Sequence, residues 1–337
     1  MVCLLKIMSS KLKCWCEIQR RKIIDIMKSM LLLKYYSMYS ARTRSKKQLV
    51  IYMADGHCHH GGLSDRLCGI VSLYNYCKIY NKDFRIYFRS PYCLEKILMP
   101  NFYNWHINDE ELSGNIKDVN VKYISLFSHD MHEMREYANS KLKTTKVQSH
   151  IYTNMRYFKE DDFKVLFAEL FKPSEILEEN LSMSTKGLPH IYVSYTFRFQ
   201  QLLGDFEEGN FTRLKDEDEK HRLIEKCLLC IRQLYKKTNT PILVTSDSST
   251  FLQAAKKIPY VYIVEGEIRH MDFNRDSNVD IMTDVKSFVD LFMIAMAKEI
   301  YLCTLPPLYR SGFPETASRI YGHPYKEFVP GEFHSGF

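Results

Sequence analysis

The sequence has few glycines and prolines and no long apolar run near its N-terminus. Only 13 Gly and 11 Pro occur in 337 residues, which excludes collagen-like and low-complexity scaffolds. Hydrophobic residues make up 45% of the chain, which excludes intrinsic disorder. The longest apolar run of the N-terminal segment, Met30 to Leu33, is far shorter than the roughly 20 residues that cross a bilayer, and too short for a signal-peptide core. We therefore expect a folded, cytoplasmic protein of about two domains.

Cysteines and the common catalytic motifs are also scarce. Ten cysteines are too few for a disulfide scaffold, and we expect them to stay reduced. The pairs Cys14/Cys16 and Cys227/Cys230 lack a second half at zinc-finger spacing, and the latter pair falls on the apolar face of a predicted helix, which favours core packing. No GxGxxG, GxxxxGKS/T, HExxH or GxSxG motif is present, which disfavours dehydrogenases, P-loop ATPases, zinc proteases and serine hydrolases.

Positive charge is concentrated at the N-terminus. The net charge is +7, but residues 1–50 hold 12 Lys/Arg and 2 Asp/Glu, which leaves 35 Lys/Arg against 38 Asp/Glu elsewhere. A nucleic-acid-binding protein carries its positive charge on the folded surface, so this distribution argues against a nucleic-acid partner. Residues 1–47 mix Lys/Arg with Ile, Met and Leu at spacings that allow an amphipathic helix. This leader either contacts an anionic membrane peripherally or is a solvated helix on the body or a disordered arm, and the sequence leaves these alternatives open.

Predicted strands and helices alternate through the rest of the chain. The predicted strands are 48–54, 84–88, 121–127, 148–153, 190–197, 241–245, 260–265 and 299–303. Single helices are predicted at 63–80, 130–142, 216–237, 249–257, 284–298 and 312–321, and more than one helix is predicted around 161–180. Because crossover helices join parallel strands, this pattern predicts an α/β fold with two Rossmann-like parallel-sheet domains facing a cleft. The segment MSTKGLP at 183–189 is polar and contains Gly and Pro, so it is the predicted linker between the domains. We therefore predict a basic helical leader at 1–47 and domains at 48–185 and 186–337.

Ligands of such sheets bind beyond the carboxyl ends of the strands, so the turns after the strands are the candidate sites. The first turn contains Gly61 and Gly62 directly before a helix, where backbone N–H groups favour an anion. Asp65 and Arg66 follow in the first turn of that helix, although Asp65 would also simply complement the helix dipole. Five potential metal ligands precede them but are too crowded in one short loop to converge on one ion: Asp55, His57, Cys58, His59 and His60.

The second turn follows a strand that ends at Arg198. A guanidinium at the end of a buried strand needs a partner, because it cannot be neutralised. It would hold a pyrophosphate with two hydrogen bonds, or it would form a salt bridge to Asp205 or Glu207.

The third turn presents Thr245, Ser246, Asp247 and Ser248 between a strand and a helix. Hydroxyl and N–H groups there suit phosphate oxygens, and the carboxylate suits a ribose hydroxyl or a base. The alternative is that Ser248 or Ser249 acts only as the helix N-cap.

The fourth turn, before the last predicted helix, contains Ser311 and is again of an anion-binding type. A capping box with Ser311, and Pro314 at the first helical position, is the structural alternative. The DxD pair Asp216/Asp218 has a spacing used for Mg²⁺, but its charged surroundings favour a solvated helix start.

The order of these turns resembles the fucosyltransferase-like superfamily of glycosyltransferases. Its members typically carry a GG-L-x-N/D-R/Q-L-x-G segment, a central strand ending in H-x-R, and a later strand ending in S/T-D. The corresponding segments are GGLSDRLCG at 61–69, YTFR at 195–198, TSDS at 245–248, and SGFPETASRIYG at 311–322, which is like the final helix start of that group. The resemblance covers roughly residues 48–328. The family His is replaced by Thr196, and Gly204-Asp205 comes later than the Gly-Asp that commonly follows the Arg.

The resemblance implies a GT-B-like transferase of the bacterial cell-surface glycan type. Such an enzyme moves a sugar, fucose from GDP-fucose, to a glycan or lipid-linked glycan acceptor by an inverting, metal-independent mechanism without a cofactor. It implies an acceptor-side first domain and a nucleotide-sugar-binding second domain. The negative charge of the departing diphosphate is then stabilised by Arg side chains and helix N-termini. The alternative is a non-catalytic nucleotide-binding or scaffold protein of the same fold.

The site residues that follow are of two kinds. Arg198 and Asp205 are assigned catalytic roles, and Asp205, Asp55 and Glu207 stay open as general bases for the acceptor hydroxyl. The nucleotide-sugar-binding residues are Gly61, Gly62, Asp65, Arg66, Arg198, Thr245, Ser246, Asp247, Ser248 and Ser311.

Overall fold

The computed structural model describes residues 2–43, 47–125, 130–156, 162–205, 211–267 and 281–331, with side chains from Cys16 onward except that of Met131. The chain divides into two compact units, which are described separately. The first comprises Met1–Gly61, Asp65–Ser90 and Pro100–Asp162, and the second comprises Gly62–Ser64, Pro91–Met99 and Phe163–Phe337.

The first unit is built on a four-stranded parallel sheet in the order β2-β1-β5-β4. Its strands are β1 (Leu49–Ala54), β2 (Asp83–Phe88), β4 (Val119–Ile124) and β5 (Gln148–Thr153), and the helices that accompany the sheet are α1 (Val2–Leu32), α2 (Leu63–Ile79) and α3 (Met131–Leu142). The central strands β1 and β5 are almost entirely buried, whereas edge strand β2 buries alternate residues. This difference follows from helices covering both faces of the sheet centre.

The second unit contains a five-stranded parallel sheet in the order β11-β10-β7-β8-β9. Its strands are β7 (Val193–Phe197), β8 (Ile242–Ser246), β9 (Val261–Tyr262), β10 (Glu299–Cys303) and β11 (Tyr325–Phe328), and its helices are α4 (Phe163–Leu170), α5 (Glu175–Thr185), α6 (Glu217–Thr238), α7 (Ser249–Ala255), α8 (Ile281–Ala295) and α9 (Phe313–Tyr321). A short pair, β3 (Leu98–Pro100) with β6 (Phe171–Pro173), is separate. Because β7 is central and the chain crosses it between β9 and β10, this is the doubly wound Rossmann order.

The predicted alternation and the two parallel sheets are confirmed. Three strands were not predicted, because β3 and β6 are three residues long and β11 is an edge strand of sequence YKEF without an apolar signal. The helices predicted around 161–180 are α4 and α5, which are separated by β6. Cys227 and Cys230 are fully buried on α6, as the core-packing interpretation predicts.

The division between the units lies after Asp162, whereas the sequence places the domain boundary at 185/186. The reason is that α4 and α5 pack on helices of the second unit. Helix α4 contacts α9, α5 contacts α8, and the rings of Phe167 and Phe292 lie 6.2 Å apart. A polar Gly- and Pro-containing segment therefore does not coincide with the division between compact units.

His150 is a fully buried histidine on the central strand β5 of the first unit. Its Nδ1 lies 2.8 Å from the Tyr36 hydroxyl, and its Nε2 lies 2.9 Å from Gln148 Oε1. Burial lowers the pKa of His150 to about 3, because the charged ring would lose its hydration.

This buried ring predicts a loss of stability in acid. Below a pH of about 6.5 the unfolded chain binds a proton that the folded chain excludes, so the free energy of unfolding falls by about 1.4 kcal/mol per pH unit. The contribution is complete above the unfolded pKa and is lost progressively as the pH falls toward the folded pKa. The free energy of unfolding, measured with urea between mildly alkaline and acidic pH, should depend less steeply on pH in His150→Gln than in wild type. His132→Gln, at an exposed histidine, is the control. Parallel curves for wild type and His150→Gln would contradict this account.

Candidate functional site

The loops at the carboxyl ends of β7, β8 and β10 converge in the second unit. The crossing point of the doubly wound sheet lies between β7 and β10, where ligands of such sheets bind. The backbone N–H of Tyr309, in the loop after β10, donates to the carbonyl oxygen of Arg198 over 2.9 Å. The residue after β7 and the loop after β10 are therefore in direct contact.

Arg198 pairs with Asp247. Phe197 and Ser246 are register partners on β7 and β8, so the residues that follow them are neighbours. Arg198 Nη1 lies 3.2 Å from Asp247 Oδ2, with the arginine side chain 20% exposed and the aspartate side chain 2% exposed. The sequence offered a salt bridge to Asp205 or Glu207 as the alternative to pyrophosphate binding. The carboxylate paired with Arg198 here is that of Asp247, and Glu207 lies outside the described residues. The ion pair fixes the guanidinium at the carboxyl end of β7.

Asp247 also fixes the loop that follows β7. Its Oδ1 accepts from the Phe199 N–H over 2.8 Å, and its Oδ2 accepts from the Gln200 N–H over 2.6 Å. Gln200 has a positive φ of 54°, a conformation that these bonds help to hold. Burial raises the pKa of Asp247, while Arg198 and the two N–H donors act in the opposite direction. The structure thus gives this carboxylate a positioning role, and contact with a nucleotide remains a prediction.

Asp205, which lies in the loop after β7, fixes the turn that follows β8. Its Oδ2 accepts from Ser248 Oγ over 2.8 Å, from Ser249 Oγ over 3.2 Å and from the Thr250 N–H over 2.7 Å. Its Oδ1 is buried and has no hydrogen-bond partner among the residues that the structure describes. Each of the two loops therefore holds the other through one carboxylate.

The third turn is tied together by its own hydroxyl groups. Ser248 is the N-cap of α7 and accepts from the Phe251 N–H over 3.1 Å, which is the capping role that the sequence offered for it. Ser246 Oγ accepts from the Ser248 N–H over 3.1 Å. The hydroxyls predicted to meet phosphate oxygens are thus already engaged within the turn.

A pocket of about 230 Å³ opens beside these loops, beyond the ends of β8 and β9. Its lining includes Asp205, Asp247 and Lys256, whose Nζ pairs with Glu265 of the same lining. The remaining described lining residues are Ser249, Leu252, Gln253, Ile263, Val264, Gly266 and Glu267. Its mixed lining and size suit part of a nucleotide rather than a whole sugar nucleotide.

Helix α9 begins after β10 without a side-chain cap. Its N-cap is Gly312, and a Cβ there would meet no atom within 4 Å. Ser311 Oγ accepts instead from the Phe313 N–H over 3.2 Å. The capping box suggested for Ser311 is wrong, because the helix begins one residue later than that arrangement requires. The Phe313 N–H is thus engaged by Ser311, and Pro314, which follows it, has no N–H to offer an anion.

The turn after β1 in the first unit is held by Arg66. Its Nε and Nη1 donate to the carbonyl oxygens of Gly61 and Ser90, each over 3.1 Å, and its guanidinium lies 5.2 Å from the centre of the Phe88 ring. Arg66 is 3% exposed, so it fixes the turn from inside. Gly61 has a positive φ of 79°, and a Cβ there would collide with the Asp65 carboxylate. Gly62, by contrast, has open space around it.

A histidine–aspartate pair lies in the same turn. His57 Nδ1 is 2.9 Å from Asp55 Oδ2, which also accepts from the Tyr152 hydroxyl over 2.6 Å. The His57 ring stacks on Tyr35 with centroids 3.5 Å apart, and its side chain is 36% exposed. In the neutral ring, donation from Nδ1 leaves Nε2 as the basic nitrogen. The sequence named Asp55 as a candidate base but took His57 only as a metal-ligand candidate.

The potential ligands of the first turn, residues 55–60, and the DxD pair Asp216/Asp218 form no metal-binding cluster among the described residues. Asp216 is the N-cap of α6 and accepts from the Asp218 N–H over 2.9 Å, which confirms the helix-start interpretation. Within the described part of the chain, no three His, Cys, Asp or Glu side chains come together as a group that would hold a metal ion.

No protein-family model matches this chain, and no curated protein sequence matches it. Several solved structures, however, are similar to this chain. The α-1,6-fucosyltransferase NodZ soaked with GDP-fucose aligns with a TM-score of 0.53 at 13% identity, over 85% of this chain and 97% of that chain. A mutant of FUT1 from Arabidopsis thaliana in complex with GDP aligns with a TM-score of 0.53 at 12% identity, over 94% of this chain and 78% of that chain. The chain has the fold of these fucosyltransferases. At such low identity, the likeness establishes the GT-B-like fold alone.

One departure from the fucosyltransferase-like motif has a structural explanation. Thr196 stands where that superfamily typically has His, and its Oγ1 lies 2.8 Å from Thr245 Oγ1 on the neighbouring strand. Both threonines are buried, so the two hydroxyls satisfy each other between β7 and β8. A larger imidazole at this position would require Thr245 to move.

Proposed function

We propose that the protein is a glycosyltransferase that moves fucose from GDP-fucose to a glycan acceptor. The observation that carries this proposal is Arg198, positioned by Asp247 at the crossing point of a sheet with the fucosyltransferase fold. The NodZ and FUT1 structures hold GDP-fucose and GDP, which supports a guanine nucleotide as the ligand of the second unit.

The diphosphate is assigned to Arg198 and to the N-terminus of α9. When the bond between the sugar and the phosphate breaks, its electron pair stays on the diphosphate, whose negative charge must be stabilised. The guanidinium of Arg198 supplies a permanent positive charge at the end of β7, and the N-terminus of α9 supplies the positive end of a helix dipole. These groups support a mechanism without a metal ion.

The roles of the other predicted site residues are revised in this proposal. Asp205 and Asp247 position the loops, and the pocket that they line accepts the ribose or the base. Thr245, Ser246 and Ser248 shape the turn beside that pocket. Arg66 fixes the turn that contains Gly61 and Gly62, which we assign to the acceptor side.

The proposed general base is His57, oriented by Asp55. In this proposal Nε2 takes the proton of the acceptor hydroxyl, whose oxygen then displaces the diphosphate with inversion at the anomeric carbon. Asp205 is a poorer candidate, because one of its carboxylate oxygens accepts three hydrogen bonds and the other is buried.

Two finer assignments belong to the same proposal. The acceptor is a glycan or lipid-linked glycan of a cell-surface polysaccharide, and the enzyme acts in the cytoplasm. Among the described helices, none combines the length and the apolar character needed to cross a bilayer.

Thermal stabilisation by a panel of sugar nucleotides in EDTA tests the proposal. GDP and GDP-fucose should raise the melting temperature, since a ligand at 100 times its Kd stabilises the fold by about 2.7 kcal/mol. UDP- and CMP-sugars at equal concentration are the controls. Stabilisation only by a nucleotide with another base would contradict GDP-fucose as the donor. Stabilisation only after Mg²⁺ or Mn²⁺ is restored would contradict the metal-independent mechanism.

A further inference from the structure

Helix α1 exposes a stripe of large apolar side chains. Its members recur at the three- and four-residue spacing that places residues on one side of a helix. They are Ile23 at 58% exposure, Ile26 at 49%, Met27 at 58%, Met30 at 66% and Leu31 at 63%. Scattered apolar residues are ordinary on a surface, but five on two successive turns form a contiguous patch. We call these five residues the α1 stripe.

The opposite side of α1 is buried against the first unit and is partly polar. Asp25 is 1% exposed, and its carboxylate accepts from the Ser125 N–H over 3.0 Å and from the Tyr137 hydroxyl over 3.0 Å. Ser29 Oγ accepts from the Tyr123 N–H over 2.9 Å. These bonds fix the rotation of the helix, because turning it would leave a buried carboxylate without its donors.

The two sides of α1 therefore do not divide into an apolar inner side and a polar outer side. A surface helix ordinarily turns its apolar side inward and its charged side toward water. Here the inward side carries Asp25 and Ser29 beside Ile18 and Leu32, and the outward side carries the α1 stripe. The fold holds this arrangement by specific hydrogen bonds.

Basic side chains surround the α1 stripe. Arg20 and Lys34 are exposed at its two ends, one turn before Ile23 and one turn after Met30. Residues 16–34 contain five Lys/Arg and two Asp/Glu, and one of the two acids is the buried Asp25. The other acid, Glu17, is hydrogen-bonded to Arg20 and Arg21. The patch thus combines an apolar centre with a positive rim.

We propose that the α1 stripe lies on an anionic lipid surface. The apolar side chains would enter the boundary between headgroups and acyl chains, and the basic rim would meet the lipid phosphates. A second copy of the chain fits less well, because it would bring an identical positive rim against this one. The proposal rests on α1 alone and not on the proposed transferase activity.

Co-sedimentation with vesicles tests the proposal on the full chain. The stripe variant is Ile23→Gln/Met27→Gln/Met30→Gln, and the control is Ile79→Gln/Val165→Gln/Met183→Gln, which changes three apolar side chains exposed by 62%, 58% and 57% outside α1. Vesicles of phosphatidylcholine alone and with phosphatidylglycerol are compared at low and high salt. Circular dichroism and melting temperatures verify that each variant is folded, and the single variant Met30→Gln replaces the triple variant if it is not.

Wild type and control should pellet with the anionic vesicles at low salt, and the stripe variant should bind at least about tenfold more weakly. Equal binding by wild type and stripe variant, or no binding of wild type at low salt, would overturn the proposal. Light scattering of each protein without lipid provides a further outcome. A wild-type dimer that the stripe variant converts to a monomer would overturn lipid binding in favour of self-association.

Discussion

Arg198→Lys is expected to lower kcat for fucose transfer by about 100-fold or more while the protein stays folded. Lysine keeps the positive charge beside Asp247, so the buried carboxylate retains an ionic partner. It cannot present two parallel N–H donors to the diphosphate, and these are the donors that the transition state requires in this mechanism.

The measurement is steady-state kinetics with GDP-fucose, together with a melting curve. Arg222→Lys is the matched control, because Arg222 has a side chain that is 63% exposed and lies on α6, away from the strand end. Activity of Arg198→Lys near that of wild type would remove Arg198 from the site. An equal loss in Arg222→Lys would show that the effect is not local.

Asp247→Asn is expected to destabilise the fold by about 3 kcal/mol and to abolish detectable nucleotide binding. The change removes the charge that pairs with Arg198. It also directs an amide NH₂ group toward the N–H of Phe199 or Gln200, so that a donor faces a donor. The loop after β7 should lose its conformation, and Arg198 should lose its position with it.

Chemical denaturation gives the free energy of unfolding, and titration with GDP gives the affinity. The control is Asp218→Asn, an exposed aspartate in the first turn of α6, for which we expect a change within about 0.5 kcal/mol. Unchanged stability of Asp247→Asn with weakened GDP binding would instead make Asp247 a direct nucleotide ligand.

The strand ends that carry the site could be located from the sequence. Buried apolar strands followed by polar turns marked Arg198 and Asp247, and the parallel sheet that the alternation implies brings such turns to one edge. The ion pair between these two residues was not predicted, because it depends on strand order and register. In the sequence Asp205 is nearer to Arg198, but in the fold β7 and β8 are neighbours and their ends coincide.

The contacts of Asp205 could not be predicted from the sequence, because they depend on the conformation of the loop after β7. The reach of Asp205 to Ser248 and Thr250 depends on how residues 199–205 fold back, and that fold depends on Asp247. Helix α1 illustrates a different limit. Its sequence allows an amphipathic helix, but only the buried bonds of Asp25 determine which side faces outward. Both features arise from tertiary hydrogen bonds that residue periodicity does not encode.

The most direct test of the proposed function is the release of GDP from GDP-fucose by the purified full chain in EDTA. Mass spectrometry of the products, with and without a mixture of glycan acceptors, distinguishes hydrolysis from transfer. The account predicts GDP release that acceptors accelerate, with a fucosylated product, and a rate about 100-fold lower for Arg198→Lys. Tight binding of GDP without turnover of GDP-fucose or any other sugar nucleotide would contradict the account and identify a nucleotide-binding scaffold of the same fold.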